Sequence, residues 1–271
     1  MNRKRSRSKA LRAVAPNAGL KADYRRKLLK LVDAMGKEAE KEIREIYEYR
    51  ENRITMDASP AAQLSKKIQE IRKRWQKRFN DDAEKIAFWF ARKVFENTKR
   101  AQKSALKSAG LPDITVKFDK GSLSRDMMQA IIEENVSLIK SIPSEYFQKV
   151  EGSVMRSVTA GRDIFGLAKD LEKNLGVTAR RAELIARDQN DKATNNMAKA
   201  RDLSAGFTHG IWIHVAGRFT SRSTHEKMHG KEFDLKEGMY DSAVGKNVFP
   251  AELINCRCRY RPVFNLEEWK K

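Results

Sequence analysis

Residues 206–215, GFTHGIWIHV, mark the point at which the patterning of this 271-residue chain changes. The stretch begins with Gly206, a residue that commonly ends helices, and continues with alternating β-forming residues. We therefore predict a strand at Gly210–Val215, preceded by helices and followed by a region of mixed structure. The predicted fold class is α+β and mostly α, with an elongated N-terminal helical region followed by a small C-terminal α+β module.

The residues before Gly206 follow helical spacing. From Lys21, apolar residues recur at three- and four-residue steps, and a second long helix is predicted from Pro60 to Ser108, where Gly110 ends it. A short β-like run is predicted at 114–118. Further helices are predicted at 122–139, at 144–158 with Pro143 between, at 163–174 closed by Gly176, and from Thr178 to about Ser204.

The residues after Val215 alternate between short elements. A helical turn is predicted at 223–228, a strand at 231–234, irregular structure at 238–250 and a last alternating stretch at 256–264. In that last stretch, Cys256, Cys258 and Tyr260 share one face. Along the chain we therefore predict a basic disordered tail at 1–19, a long-helix region at 20–121, a helical region at 122–206, and the α+β module at 207–271.

Positive charge is concentrated in the first 200 residues. They carry 44 Lys and Arg against 27 Asp and Glu, a net +17, whereas residues 201–271 carry 12 against 9, a net +3. Such an excess favours a polyanionic partner and predicts contact with double-stranded DNA, although solvated helix faces are the alternative. The predicted nucleic-acid contacts are the basic residues of the tail: Arg3, Lys4, Arg5, Arg7, Lys9 and Arg12.

The chain has the composition of a water-soluble protein. No stretch approaches the roughly 20 apolar residues that a membrane span needs, and no apolar segment follows the basic N-terminus as in a secretory signal. Two cysteines separated by one residue form a disulfide poorly, because extended backbone holds their Cα atoms about 7 Å apart. We expect a reducing compartment.

All four histidines and both cysteines lie between His209 and Cys258. Within this segment, residues 225–229, HEKMH, match the H-E-x-x-H signature of zinc proteases. That signature needs a long helix and a third ligand beyond the second histidine. Here Gly217 and Gly230 bracket the motif, and no histidine follows it. We interpret the match as accidental, and we predict a protein that is not an enzyme and has no catalytic residues.

The same residues provide candidate metal ligands. His225, His229, Cys256 and Cys258 would form a Cys₂His₂ set, since the two histidines are four residues apart. The alternative is that the cysteines are small half-buried residues and that the histidines make hydrogen bonds. A nucleophilic pair of Cys256 with His225 or His214 is a further alternative. We expect no cofactor, with a structural zinc ion as the alternative.

An ordered set of motifs resembles a known family. The set covers roughly residues 130–264 and ends in Asn-Cys-Arg-Cys at 255–258. Its residues are Arg181, Glu183, Arg187, Gln189, Trp212, His225, Gly230, Phe233, Asn255, Cys256 and Cys258. Together they resemble the phage head-morphogenesis proteins of the Mu F-like type, also called minor head or minor capsid proteins.

The resemblance implies a structural role in the phage head. Such proteins associate with the portal protein and the major capsid protein, and they act in head morphogenesis and in DNA packaging or ejection. The implied location is the virion, assembled in the cytoplasm of the host bacterium. Many members carry a Cys-x-x-Cys pair where this chain has residues 221–225, and its absence here weighs against a metal cluster of that type.

Two other functions fit the residues. One is a metal-dependent hydrolase, nuclease or toxin module that uses His225, Glu226 and His229. The other is a non-specific DNA-binding protein, in which the basic N-terminal part would provide the DNA-binding surface.

Overall fold

The computed structural model describes residues 8–51, 60–111, 122–160, 164–216 and 221–265. Of these residues, 72% are helical, in five helices, and a small sheet lies towards the C-terminus. This confirms the prediction of a mostly α, α+β protein. The β-like run predicted at 114–118 lies outside the described residues. No helix in the described ranges is long and apolar enough to cross a membrane.

Four long helices make up most of the chain: α1 at Ala18–Glu51, α2 at Pro60–Ser108, α3 at Ser122–Thr159 and α4 at Ile164–Ser204. Their apolar residues recur at helical spacing and are buried, as the sequence predicts. Along α1, for example, Tyr24, Leu28, Val32, Met35 and Ala39 are fully buried. The C-terminal limit predicted for α2 is confirmed, and Gly110 beyond it has a φ of 78°.

Two predicted interruptions are wrong, because α3 continues through Pro143 and α4 continues through Gly176. Proline removes the helical hydrogen bond that the Ile139 carbonyl would accept, and side chains donate to the carbonyls on either side of it. The Ser141 hydroxyl donates to the Leu138 carbonyl at 2.8 Å, and Gln76 donates to the Lys140 carbonyl at 3.0 Å. A glycine within a helix costs only about 1 kcal/mol, which burial of the apolar stripe on both sides offsets.

The sheet contains four strands: β1 at Ser8–Ala10, β2 at His209–Ile213, β3 at Glu232–Asp234 and β6 at Arg259–Asn265. They are antiparallel and lie in the order β1-β6-β2-β3. The short helix α5, at Ser223–Met228, connects β2 to β3, and its predicted bounds are confirmed. A separate hairpin pairs β4, at Met239–Asp241, with β5, at Lys246–Val248.

Three predictions about the N-terminal segment and the C-terminal module need correction. Residues 8–19 are not disordered: β1 pairs with β6, Leu11 and Val14 are buried, and α1 begins at Ala18. The segment 238–250 is not irregular, since it forms the β4–β5 hairpin. The last strand begins at Arg259 rather than at Cys256.

Contacts group the chain into two compact units, each built from several segments. One unit contains residues 22–88 and 133–186. The other contains residues 1–21, 89–132 and 187–271, and therefore holds the sheet, the hairpin and all the histidines and cysteines. Its apolar core includes Leu11, Leu106, Trp212, Phe233 and Tyr260.

Candidate functional site: the histidine and cysteine cluster

The structure brings three of the four predicted metal ligands together. The ligand atoms of His225, Cys256 and Cys258 all lie within 4.8 Å of one another. The Nδ1 atom of His225 is 3.4 Å from the Cys256 sulfur and 3.6 Å from the Cys258 sulfur. The three residues are 2%, 4% and 1% exposed, so they are closed to a substrate.

A turn held against α4 leads into the cysteines. Residues 256–258 precede β6, which begins at Arg259, so they are not paired in the sheet. Asn255 precedes them with a φ of 61°, in the left-handed region. Its Oδ1 accepts a hydrogen bond from Arg187 at 2.6 Å, and its N–H donates to Asp188 at 2.7 Å. Contacts with α4 therefore fix the turn that leads into the cysteines.

A buried carboxylate orients the His225 ring. The Nε2 atom of His225 lies 3.1 Å from Oδ2 of Asp241, which is on β4 and fully buried. Burial would raise the pKa of Asp241, but hydrogen bonds from the Ala243 amide and from His225 lower it. An ionised Asp241 accepts the proton of Nε2, and the lone pair of Nδ1 then points towards the cysteines.

The pKa values in the cluster are shifted in opposite directions. A hydrogen bond with Cys256 lowers the pKa of Cys258 to about 7, although burial opposes this, and the Val215 amide adds to the effect. The pKa of Cys256 is raised, first by its hydrogen bond with Cys258 and then by burial. Burial alone would lower the pKa of His225, but Cys256 and Asp241 raise it.

His229 does not join the cluster. Helix α5 ends at Met228, so the i, i+4 alignment of the two rings does not form, and His229 is exposed. Its Nδ1 accepts a hydrogen bond from the His214 backbone at 3.0 Å. The structure instead places His214 beside the cysteines, with its Nδ1 atom 3.5 Å from the Cys258 sulfur.

Asp241 was not among the residues selected from the sequence. It lies in the segment predicted to be irregular, and no motif marks it. A search for a carboxylate between His225 and Cys256 would have offered several candidates. Only the β4–β5 hairpin brings this one to His225.

The other residues of the predicted motif set make structural contacts. Trp212 is fully buried, and its ring centre lies 5.3 Å from that of His225 and 5.6 Å from that of Phe233. Gly230 has a φ of 78° and its amide donates to the Trp212 carbonyl at 2.8 Å. Gln189 is buried on α4.

Two motif residues of α4 lie in the other unit. Arg181 forms an ion pair with Glu145 at 2.8 Å and donates to Ser141 at 3.0 Å. Glu183 accepts a hydrogen bond from Arg25 at 3.0 Å. These contacts join helices of the same unit, so the motif residues serve packing in both units.

The predicted nucleic-acid contacts are only partly described. Arg3, Lys4, Arg5 and Arg7 lie outside the described residues. Lys9 follows the first residue of β1, and its Nζ donates to the Ala109 carbonyl at 3.2 Å. Arg12 is exposed.

Comparison with known proteins gives one family match. Residues 148–261 match the model of the family described as Phage Mu protein F like protein, which confirms the predicted resemblance over this part of the chain. An uncharacterized protein of Haemophilus influenzae is 24% identical over 274 residues. That alignment covers 99% of this chain, which spans 58% of the relative's length. No solved structure matches.

Proposed function

From the match of residues 148–261 to the phage Mu protein F like family, we propose that the chain is a minor structural protein of a tailed-phage head. In this role it associates with the portal protein and the major capsid protein during head morphogenesis. It is located in the virion after assembly in the host cytoplasm. The family match is the observation that carries this proposal.

The burial of the His/Cys cluster supports a structural role over an enzymatic one. A hydrolase needs its ligands or nucleophile open to substrate, whereas His225 and both cysteines are buried. In addition, α5 has only six residues and His229 lies beyond its end. These features weigh against the hydrolase alternative based on His225, Glu226 and His229.

Charge on α2 supports a role beside packaged DNA. This helix carries 14 Lys and Arg against 5 Asp and Glu, a net +9. From Asn97 to Leu111 the chain has no acidic residue, and Lys99, Lys103 and Lys107 recur every four residues there with exposed side chains. Spacing of four residues places them on one helix face, which we call the lysine stripe. The stripe is suited to phosphate contacts without sequence reading.

Co-purification tests the proposed function. The chain, carrying an affinity tag, is expressed with the portal and major capsid proteins of the phage or prophage that encodes it, and the captured assemblies are analysed by sedimentation and mass spectrometry. We expect the chain to sediment with portal-containing particles. A chain that stays monomeric with portal and capsid proteins present would contradict the proposal.

The matched control changes the family segment only. In Trp212→Ala, a fully buried ring that contacts His225 and Phe233 is removed, while the lysine stripe is retained. Loss of co-sedimentation in this variant, with α-helical circular dichroism retained, would assign the contact to the family segment. Retention of the variant in the particles would assign it to the helices outside residues 148–261.

A further inference from the structure

We propose that His214, His225, Cys256 and Cys258 bind one tetrahedral zinc-type metal ion that stabilises the fold. This ligand set differs from the set predicted from sequence, because His214 replaces His229. The inference does not depend on the proposed role in the phage head, since it rests on the geometry of the cluster alone.

The distances between ligand atoms fit a tetrahedral site. Zinc–sulfur bonds of about 2.3 Å and zinc–nitrogen bonds of about 2.0–2.1 Å place a ligand sulfur about 3.5 Å from a ligand nitrogen. Three of the four sulfur–nitrogen distances are 3.4 Å, 3.5 Å and 3.6 Å. The ligand atoms of His225, Cys256 and Cys258 all lie within 4.8 Å of one another, whereas those of His214 lie outside that group. Two thiolates and two imidazoles in a tetrahedron favour zinc over harder cations.

Hydrogen bonds would pair each thiol with its own ring, Cys256 with His225 and Cys258 with His214, but they leave the second sulfur beside His225 without a role. The Nδ1 atom of neutral His225 has one lone pair, yet both sulfurs lie at ligand distance from it. One thiol can donate there with good geometry. A metal ion, by contrast, satisfies both sulfurs and the lone pair at once.

Each histidine has a partner at its other nitrogen. Asp241 accepts from Nε2 of His225 at 3.1 Å, and Ser221 lies 3.2 Å from Nε2 of His214. Such partners fix the ring orientation and the tautomer of metal-bound histidines. Both rings therefore direct Nδ1 towards the cysteines, which is the arrangement that a shared ion requires.

His214 completes the site from the end of β2. The contact that the structure shows for its Nδ1 is with Cys258, whereas the other three residues contact one another. His214 follows the last residue of β2, and metal binding would have to draw its Nδ1 towards His225 and Cys256, because it lies outside their group of close ligand atoms. A closed set of four protein ligands is typical of structural zinc sites.

Metal titration of the full chain tests the site. The protein is purified under reducing conditions with chelator, and Co²⁺ is added as the spectroscopic probe, followed by Zn²⁺ competition. We expect one Co²⁺ per chain, with a thiolate charge-transfer band and the strong visible bands of tetrahedral cobalt, and displacement of cobalt by Zn²⁺. A wild-type chain that binds neither ion with these signals would overturn the proposal.

Variants identify the ligands. His225→Ala, Cys256→Ser and Cys258→Ser should each weaken binding by more than the roughly 10–100-fold that a supporting residue such as Asp241 contributes. His214→Ala should weaken binding and alter the visible bands while the charge-transfer band stays. Unchanged binding and bands in His214→Ala would refute its assignment as the fourth ligand.

Two other histidines serve as controls. His209→Ala, at an exposed position of β2, should keep the wild-type cobalt spectrum, and His229→Ala, which removes the acceptor of the His214 amide, should still bind one Co²⁺ per chain. Loss of metal in His229→Ala together with retention in Cys256→Ser would overturn the ligand set. Circular dichroism of every variant checks that the helices remain, because 72% of the described residues are helical.

Discussion

Asn255 has two structural roles. It adopts a left-handed backbone conformation, and its hydrogen bonds attach the turn before Cys256 to α4. Asparagine tolerates this conformation better than most residues. Alanine would incur the backbone cost, whereas glycine would not. The family motif therefore places here a residue that satisfies both requirements.

Substitution of Asn255 separates these tasks. Asn255→Gly and Asn255→Ala both remove the hydrogen bond from Arg187, but only alanine strains the backbone. We expect alanine to lower the free energy of unfolding by about 1 kcal/mol more than glycine does. Urea denaturation measures the difference. Equal losses would mean that the turn relaxes when the side chain is shortened.

The basic segment that contains β1 contributes a buried side chain to the core. Leu11 follows the strand and is 4% exposed, whereas Arg12 beside it is exposed. Truncation of a buried leucine costs about 2–5 kcal/mol. An exposed arginine changed to alanine usually alters stability by about 0.5 kcal/mol or less.

Leu11→Ala should therefore lower the melting temperature markedly, and Arg12→Ala should leave it nearly unchanged. Differential scanning calorimetry of the full chain measures both. A Leu11→Ala variant as stable as the wild type would show that residues 8–14 do not pack in solution.

A buried polar network joins three further elements. Asp202 on α4 accepts hydrogen bonds from Tyr260 on β6 at 2.6 Å and from Gln102 on α2 at 2.7 Å. Gln102 in turn accepts one from Arg201 at 2.7 Å. Burial raises the pKa of Asp202 to about 7, although its hydrogen bonds and Arg201 oppose this.

Stability should therefore depend on pH through Asp202. An acid whose pKa is raised on folding contributes stability that is present below its ordinary pKa of 3.8 and is lost as pH rises through about 7. We expect the free energy of unfolding of the wild type to fall from pH 5 to pH 8. Asp202→Asn does not titrate and should show a smaller fall in urea denaturation. An identical fall in both proteins would assign the pH dependence to other groups.

At the scale of the whole molecule, charge is distributed unevenly between the helices. Helix α1 carries 9 Lys and Arg against 8 Asp and Glu, whereas α2 carries 14 against 5. A DNA contact should therefore depend on where lysines are removed, and not only on how many. The two helices allow a comparison at equal charge.

We predict that Lys99, Lys103 and Lys107, changed together to Gln, weaken DNA binding and its dependence on salt. Removal of one lysine–phosphate interaction should reduce the slope of log K against log salt by about 0.9. A control with Lys30, Lys37 and Lys41 of α1 changed to Gln removes the same charge. Fluorescence anisotropy with duplex DNA measures both. Equal effects would indicate general attraction, and a slope near zero in the wild type would contradict DNA binding.

Local patterning determined much of the molecule. The buried stripe of α1, the C-terminal limit of α2, helix α5 and the change to strands after Gly206 follow from apolar spacing and helix-ending residues, which act over a few residues. The ordered motifs predicted a resemblance to the family whose model matches residues 148–261. The sequence also selected His225, Cys256 and Cys258 as candidate metal ligands.

Tertiary structure decided what lies beside these residues. Helix α3 continues through Pro143 and α4 through Gly176, because apolar residues before and after these positions are buried. Pairing with β6 orders Ser8–Ala10. In the cluster, an apparent helical pair of histidines separates because α5 ends at Met228, while β2 and β4 deliver His214 and Asp241. Sequence spacing specifies neighbours along one element, but only packing brings residues of different elements within a few ångströms of one another.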